Sequence, residues 1–461
     1  MEERKGRRIV LFPLPLQGHI NPMFELANIL HSRGFSIIIL HTTLNSPDPS
    51  KYPHFTFHFL HEKLTETEAE ASGLDTISLV ILLNIKCCSP FEDCLSRLLS
   101  DESEEPIACL ISDAIFYFTG GVADILRIPR FVLRTGGAAS FFVFSAFPFL
   151  REKGYIPIQE SQLEEAIIEF PPLKVKDLPI FNKCISESLY QLILNMVNAT
   201  KTSSGIIWNT FQELEQEPLA SLHHDFTIPI YPIGPFHKFN FPSPITISSS
   251  QDETYISWLN QQAPKSVLYV SFGSIAAING NQFTEIAWGL ANSNQPFLWV
   301  VRPGLVKGKE WLELLPNGFV EELNGRGKII KWANQIEVLG HGSVGAFWSH
   351  NGWNSTLESI CEGVPMICMP CFTDQGINAR YVSDVWRVGL QLEKGLLERK
   401  EIEICIKRLM VEKEGEEIRE RSMLLKEKAC FAWKQDGSSF QWLNKLVDHI
   451  LSLDSFVFQA Q

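Results

Sequence analysis

Residues 9–40 read IVLFPLPLQGHINPMFELANILHSRGFSIIIL, and their pattern points to the fold class. Ile9 to Phe12 form a short unbroken apolar run, as a strand buried on both faces does. Asn21 and Pro22 suit the N-cap and first position of a helix whose apolar stripe is Met23, Leu26, Ala27 and Leu30. Gly34 suits the residue just past that helix, and FSIIIL (residues 35–40) is the next strand. Strand, helix and strand in this order make a βαβ unit.

The pattern restarts in the second half. SVLYVSF (residues 266–272) is again a buried-strand run, FTEIAWGLANSN (residues 283–294) is helical, and PFLWVV (residues 296–301) is the following strand. Between the two starts, FHKFNFPSPITISSSQDE (residues 236–253) is rich in Pro and Ser and has no period, which marks a linker. Short apolar strands alternate with helical patterns on both sides of it, so an α/β protein of two Rossmann-like, doubly wound parallel sheets is expected. At 461 residues the chain suits two such domains. The expected bounds are 1–236 for the first domain, 237–252 for the linker and 253–437 for the second domain. Asp436 and Gly437 break the preceding helix, and an amphipathic helix within residues 438–461 closes the chain.

The composition is globular, with 45% hydrophobic and 20% charged residues, a net charge of -13 and a pI near 5.5. So negative a field argues against nucleic acid or an acidic membrane as partner. An anionic ligand would have to be held by local geometry. The ten cysteines show no framework of spaced pairs. Cys368 and Cys371 form one CxxC, but the two further ligands of a zinc site do not follow. The charged start MEERKGRR runs into an apolar stretch broken by Pro13 and Pro15, a poor signal peptide and a worse membrane span. The expectation is a cytoplasmic monomer without a membrane span.

In open α/β sheets ligands bind beyond the carboxyl ends of the strands. The first half delivers His19, Asp113 and Thr135 there, after IVLF, ACLIS and FVLR. The second half delivers Ser274, Trp332, His350 and the pair Asp374 and Gln375, after SVLYVSF, KIIK, AFWS and PMICMP. Polar residues at so many strand ends describe a cleft lined by both domains. In HNGWNSTLESICEG (residues 350–363), Asn354 and Ser355 begin a helix, and its free N–H groups suit a phosphate. Gly340, Gly342 and Gly345 satisfy GxGxxG, but a helical pattern precedes them and a strand follows. That order is the reverse of a dinucleotide loop. No Asp-x-Asp triplet is present to hold Mg²⁺ or Mn²⁺, so no metal and no cofactor are expected. His19 suits a general base near neutral pH, with Asp113 fixing its tautomer. In the aromatic run FFVFSAFPFL, Phe141 and Phe142 are candidates for an acceptor pocket, whose lining is expected from residues around 75–100 and 140–200.

The stretch from Trp332 to Gln375, with its Trp, Gln, His, Gly-Trp-Asn-Ser, Glu, Gly-Val-Pro and Asp-Gln in order, resembles the signature box of the plant UDP-glycosyltransferases of glycosyltransferase family 1. The resemblance continues through LPLQGHINP (residues 14–22), SFGS (271–274) and FLWVVRP (297–303), and so covers essentially the whole chain. FPPLKVKDLP (170–179) resembles the branch that includes the steviol-glycoside glucosyltransferase. The resemblance implies a GT-B fold, a donor held mainly by the second domain, and inverting, metal-independent transfer. It also implies that Trp332 stacks on uracil and the Ala333 backbone pairs with its edge. Gln335 and Glu358 would reach the ribose, while Ser274, His350, Asn354 and Ser355 hold the phosphates and Gly352 lies in the same donor-binding stretch. Trp353, Asp374, Gln375 and Thr135 would bound the sugar, and the last helix would return to the first domain. Asn334 stands where proline is usual in such sequences, which implies a looser uracil loop.

These features together lead to the expectation of a hexosyltransferase that moves glucose from UDP-glucose to a small lipophilic plant metabolite, a terpenoid, a flavonoid or an existing glycoside. Asp374 and Gln375 carry the sugar choice: Gln375 can donate and accept, and in sequences of this kind a glutamine there goes with glucose. The alternatives are the same fold with UDP-xylose, UDP-rhamnose or UDP-galactose, or a nucleotide-sugar sensor without catalysis. A sensor is expected to lose the base, and this chain keeps His19 and Asp113 together.

Overall fold

The computed structural model describes residues 7–61, 76–179, 185–239, 253–274, 278–306, 315–392 and 397–453. The chain divides into two compact units, one of residues 1–157, 185–244 and 431–461, the other of residues 158–184 and 245–430.

The first unit is built on a seven-stranded sheet. Its strands are β1 (Arg8–Phe12), β2 (Ser36–His41), β3 (Phe55–Phe59), β4 (Ile107–Asp113), β5 (Arg130–Arg134), β6 (Gly205–Trp208) and β7 (Ile230–Pro232). They lie in the order β3-β2-β1-β4-β5-β6-β7, every pair parallel. The order reverses between β1 and β4, so the carboxyl ends of these two strands flank the place where such sheets take ligands. Both are buried along their whole length.

The first helix runs Gln17–Ser32 and so begins ahead of the expected Asn21. The Leu16 carbonyl starts it by accepting the N–H groups of His19 at 2.8 Å and Ile20 at 2.9 Å. Pro22 lies inside the helix, where its fixed φ is already helical and only one backbone bond is forgone. His19 therefore stands in a first helical turn and not in a loop. The helix Ser438–Ser452 belongs to this unit. Its Leu443, Leu446, Val447 and Ile450 enter the same buried cluster as Ile9, Leu11 and Ile37. Complete burial of such a side chain is worth roughly 1.5–3 kcal/mol. The attachment begins at Phe431, before the expected 438, and the Trp433 indole N–H donates to the Pro235 carbonyl at 2.9 Å.

The second unit carries β8 (Val267–Ser271), β9 (Phe297–Val300), β10 (Gly327–Ile330), β11 (Val344–Ser349), β12 (Met366–Cys368) and β13 (Gly389–Gln391). Their order is β10-β9-β8-β11-β12-β13, again all parallel, with the reversal between β8 and β11. A capping box of Asn279 and Gln282 starts the helix Gly280–Asn292 three residues before its expected beginning. Gly340 closes the short helix Gln335–Leu339 and Gly345 lies within β11, so the GxGxxG run joins a helix to a strand as expected.

Residues 158–184 were expected in the first domain and lie in the second unit, where the turn Val175–Asp177 packs on the helix Gln375–Arg380. No break in composition marks that excursion. Of the linker expected at 237–252, residues 240–252 lie outside the described residues. Among the described residues no helix is long and apolar enough to cross a membrane.

Candidate active site

At the reversal point of the first sheet, β4 ends in Asp113 and the turn after β1 presents His19. The register pairs Phe12 with Ser112, which brings the two strand ends side by side. His19 Nδ1 lies 2.7 Å from Asp113 Oδ2. Asp113 is only 1% exposed, and its other oxygen accepts the Ile115 N–H at 2.9 Å. A buried carboxylate needs such donors, so the proton is best placed on Nδ1, leaving Nε2 as the nitrogen free to act as a base. The His19 side chain keeps 20% of its surface exposed. Thr135, expected beside a sugar, has its hydroxyl 3.0 Å from His19 Nδ1 and helps hold the imidazole.

Phe141 does not line a pocket. It is completely buried, packed on Trp208 and Phe226 at 5.5 and 5.4 Å, with the Arg134 guanidinium over its ring at 4.4 Å. Neighbouring positions on a helix face different ways, so Phe142 is half-buried and remains the candidate. Their helix, Ala138–Ser145, is held at its start by Glu215, whose two oxygens accept the N–H groups of Ala138 and Ala139 at 2.9 Å each. Burial pushes the Glu215 carboxyl up to about 7 in spite of these bonds.

In the second unit, the Trp332 indole follows β10 and is 47% exposed, a large apolar face open to a ligand, while Ala333 beside it is buried. At Asn334, where a looser turn was expected, two bonds tie the chain down. Its side chain caps the helix Gln335–Leu339, and its N–H, which a proline would lack, donates to the Tyr255 hydroxyl at 3.3 Å. Tyr255 in turn donates to Glu337 at 3.2 Å. Gln335 Nε2 donates to Ser355 Oγ at 2.8 Å and to Glu358 Oε2 at 2.6 Å, gathering three of the expected donor residues. Burial pushes the Glu358 carboxyl up to about 7, opposed by the bond from Gln335.

His350 follows β11 and is wedged between two glycines. A Cβ on Gly273 would come within 2.6 Å of the ring, and one on Gly352 within 2.5 Å. Gly273 also needs its φ of +70°. Burial and the nearby Arg302 push His350 down to about 4, so the ring is neutral at physiological pH. Its buried Nδ1 has no hydrogen-bond partner among the described residues. Gly352 stands at the N-cap of the helix Trp353–Glu362, so the first-turn N–H groups of that helix follow directly on His350 and Asn351. The helix starts one residue before Asn354. The Trp353 ring is 4% exposed and lies beside Trp386 at 6.3 Å, so it does not face a sugar; only its backbone can. Ser274, after β8, is exposed.

Asp374 stands at the N-cap position of the short helix Gln375–Arg380 without a side-chain bond to the helix backbone, and its carboxylate accepts from Thr373 Oγ1 at 3.0 Å and Asn378 Nδ2 at 3.2 Å. Gln375 is 4% exposed, and its carbonyl oxygen is taken by the N–H groups of Cys371 at 2.8 Å and Phe372 at 3.1 Å. It can therefore only donate, where both roles were expected. Among the described residues no group of three or more His, Cys, Asp and Glu could hold a metal ion.

Arg302 was missed, although the strand-end rule that picked out the others applies to it after β9. Its Nε donates to the Gly273 carbonyl at 2.8 Å, placing a cation beside His350. Glu215 acts from the residue before the helix Gln216–Asp225 and Tyr255 from the helix Glu253–Leu259, and no local pattern singles them out.

A family model described as "UDP-glucoronosyl and UDP-glucosyl transferase" matches residues 26–430. The chain is 51% identical to UDP-glycosyltransferase 76F2 of Arabidopsis thaliana, covering 100% of both chains. It is 46% identical to UDP-glycosyltransferase 76G1 of Stevia rebaudiana, covering 98% of each. Its fold is similar to that of Phytolacca americana UGT2 complexed with UDP-2fluoro-glucose and pterostilbene, with a TM-score of 0.82 and 30% identity over 97% of this chain and 100% of that one. The glycine wedge makes a prediction: Gly352→Ala should displace His350 and weaken UDP binding by about tenfold or more, roughly 1.4 kcal/mol. Calorimetry with UDP checks it, and an unchanged affinity would mean that His350 does not need its slot.

Proposed function

The chain belongs to the plant UDP-glycosyltransferase family, is a glycosyltransferase and has the GT-B fold, and from that premise we propose that it moves glucose from UDP-glucose to a hydroxyl of a small lipophilic metabolite. The observation that carries the chemistry is the His19–Asp113 pair, with Nδ1 held at 2.7 Å and Nε2 left as base. His19 takes the acceptor proton while the acceptor oxygen attacks the anomeric carbon. The bond to the UDP oxygen breaks with inversion, and UDP leaves with the electron pair. Asp113 stabilises the imidazolium that forms.

The donor diphosphate is assigned to the first turn of the helix Trp353–Glu362, with Ser274, Asn354, Ser355 and neutral His350 as donors and Arg302 as the nearby cation. Such preorganised donors stabilise a leaving anion without a metal. Trp332 is assigned to the uracil, Ala333 to its edge, and Gln335 and Glu358 to the ribose. Asp374 as acceptor and Gln375 as donor are assigned to the sugar hydroxyls. Glucose as donor is supported by the glutamine at 375, and by the Phytolacca protein in its complex with UDP-2fluoro-glucose and pterostilbene.

His19→Ala should lower kcat by about a hundredfold or more and leave UDP affinity unchanged, because the base serves the acceptor. Steady-state kinetics beside UDP calorimetry reads both quantities, and a variant that keeps most of its kcat removes His19 from the reaction. Glu358 gives a pH test. Ribose hydroxyls donating to its carboxylate favour the charged form, so bound UDP lowers the raised pKa and affinity should climb as pH rises toward and through about 7. The phosphate of UDP also titrates, so the comparison is with Glu358→Gln, which should lose this part of the pH dependence. Equal slopes for both proteins would take Glu358 away from the nucleotide.

A further inference from the structure

We propose that residues 158–179, and Asp177 above all, position the sugar-binding end of the donor site, a role that rests on the assignment of Asp374 and Gln375 to the sugar. Asp177 is 1% exposed, and its carboxylate takes Arg380 as a fork: Oδ2 accepts Nε at 2.8 Å and Oδ1 accepts a terminal nitrogen at 3.3 Å. Arg380 is the last residue of the helix that Asp374 precedes and Gln375 opens. A second contact sits at the other end of that helix. A Cβ on Gly376 would lie 2.7 Å from the Asp177 carbonyl oxygen, so the backbone of Asp177 rests directly on the helix. One residue thus touches the six-residue helix near both ends and sets its tilt and its advance along its own axis.

The segment is stiff enough for the purpose. Leu173, Val175 and Leu178 are buried at 2%, 0% and 1% exposure. Asp177 Oδ2 also accepts the Lys174 N–H at 2.8 Å, and Lys174 and Lys176 both bind Glu164, at 2.9 and 2.7 Å. The Arg380 fork is held from its far side by Asp384 at 2.9 Å. A guanidinium clamped between two carboxylates has one geometry, and a planar fork resists rotation better than a point charge. Asp177 is assigned no contact with the ligand; it acts through the helix. Trp332, Gln335, His350 and Ser355 stand on other elements, so the nucleotide should not feel the change.

Kinetics with UDP-glucose, beside calorimetry with UDP alone, tests this on the full chain. Asp177→Asn should raise the KM for UDP-glucose about tenfold, equivalent to about 1.4 kcal/mol, and leave UDP affinity within about twofold. Gly376→Ala, which pushes the helix off Asp177 without touching a charge, should shift KM in the same direction and also spare UDP. If Asp177→Asn fails to fold, Gly376→Ala carries the test by itself. An unchanged KM in Gly376→Ala, or equal losses for UDP and UDP-glucose, overturns the positioning role alone. A wild-type protein that turns over no UDP-sugar overturns the functional reading and this role together.

Discussion

The carboxylate of Asp113 is nearly sealed from solvent, and the hydrogen bond it makes to His19 organises the first unit's chemistry. A buried carboxylate without donors is costly, so the position tolerates only neighbours that can give a proton. The Ile115 N–H supplies one and His19 the other. This constraint chooses the imidazole tautomer and directs the basic nitrogen away from Asp113. It also accounts for the unusual start of the first helix. Winding a turn ahead of Pro22 places His19 on a helix, at a strand end, opposite a residue 94 positions away in sequence.

The second unit solves a different electrostatic problem. A chain with a net charge of -13 is proposed to hold a diphosphate, and none of the residues assigned to it is a lysine. Burial acts on both titratable groups there in the neutralising direction, pushing Glu358 up to about 7 and His350 down to about 4. For Glu358 this reduces the repulsion that an approaching anion meets, and for His350 it removes the attraction that a protonated ring would offer. Attraction is left to the N–H groups at the start of Trp353–Glu362 and to Arg302, which is bound to the turn that carries Ser274. The two glycines around His350 are part of the same design, because only their missing side chains let the ring reach the helix start.

Much of this was legible in the sequence because parallel strands are continuous apolar runs and the residues after them are few. That rule located His19, Asp113, Ser274, Trp332 and His350, and applied evenly it would have found Arg302. Packing direction was not legible. FFVF is apolar on every side, so nothing local says that Phe141 enters the core while Phe142 does not. Gln375 looked like a two-way reader of hydroxyls until its carbonyl proved to be tied to Cys371 and Phe372. The placement of residues 158–184 depends on an ion pair between positions 203 apart, and long-range pairing of that kind leaves no local periodicity. Asn334 shows the opposite case, a residue that looked like a loss of stiffness and supplies an N–H bond in its place.

The central claim is a direct displacement driven by His19 without a metal. Its sharpest test is the anomeric configuration of the product, read by NMR after turnover of UDP-glucose and a hydroxylated lipophilic acceptor in the presence of EDTA. UDP-glucose carries an α linkage, so a single displacement predicts a β-glucoside formed at the rate seen without the chelator. An α-glucoside, or turnover that stops in EDTA and returns with Mn²⁺, would contradict it.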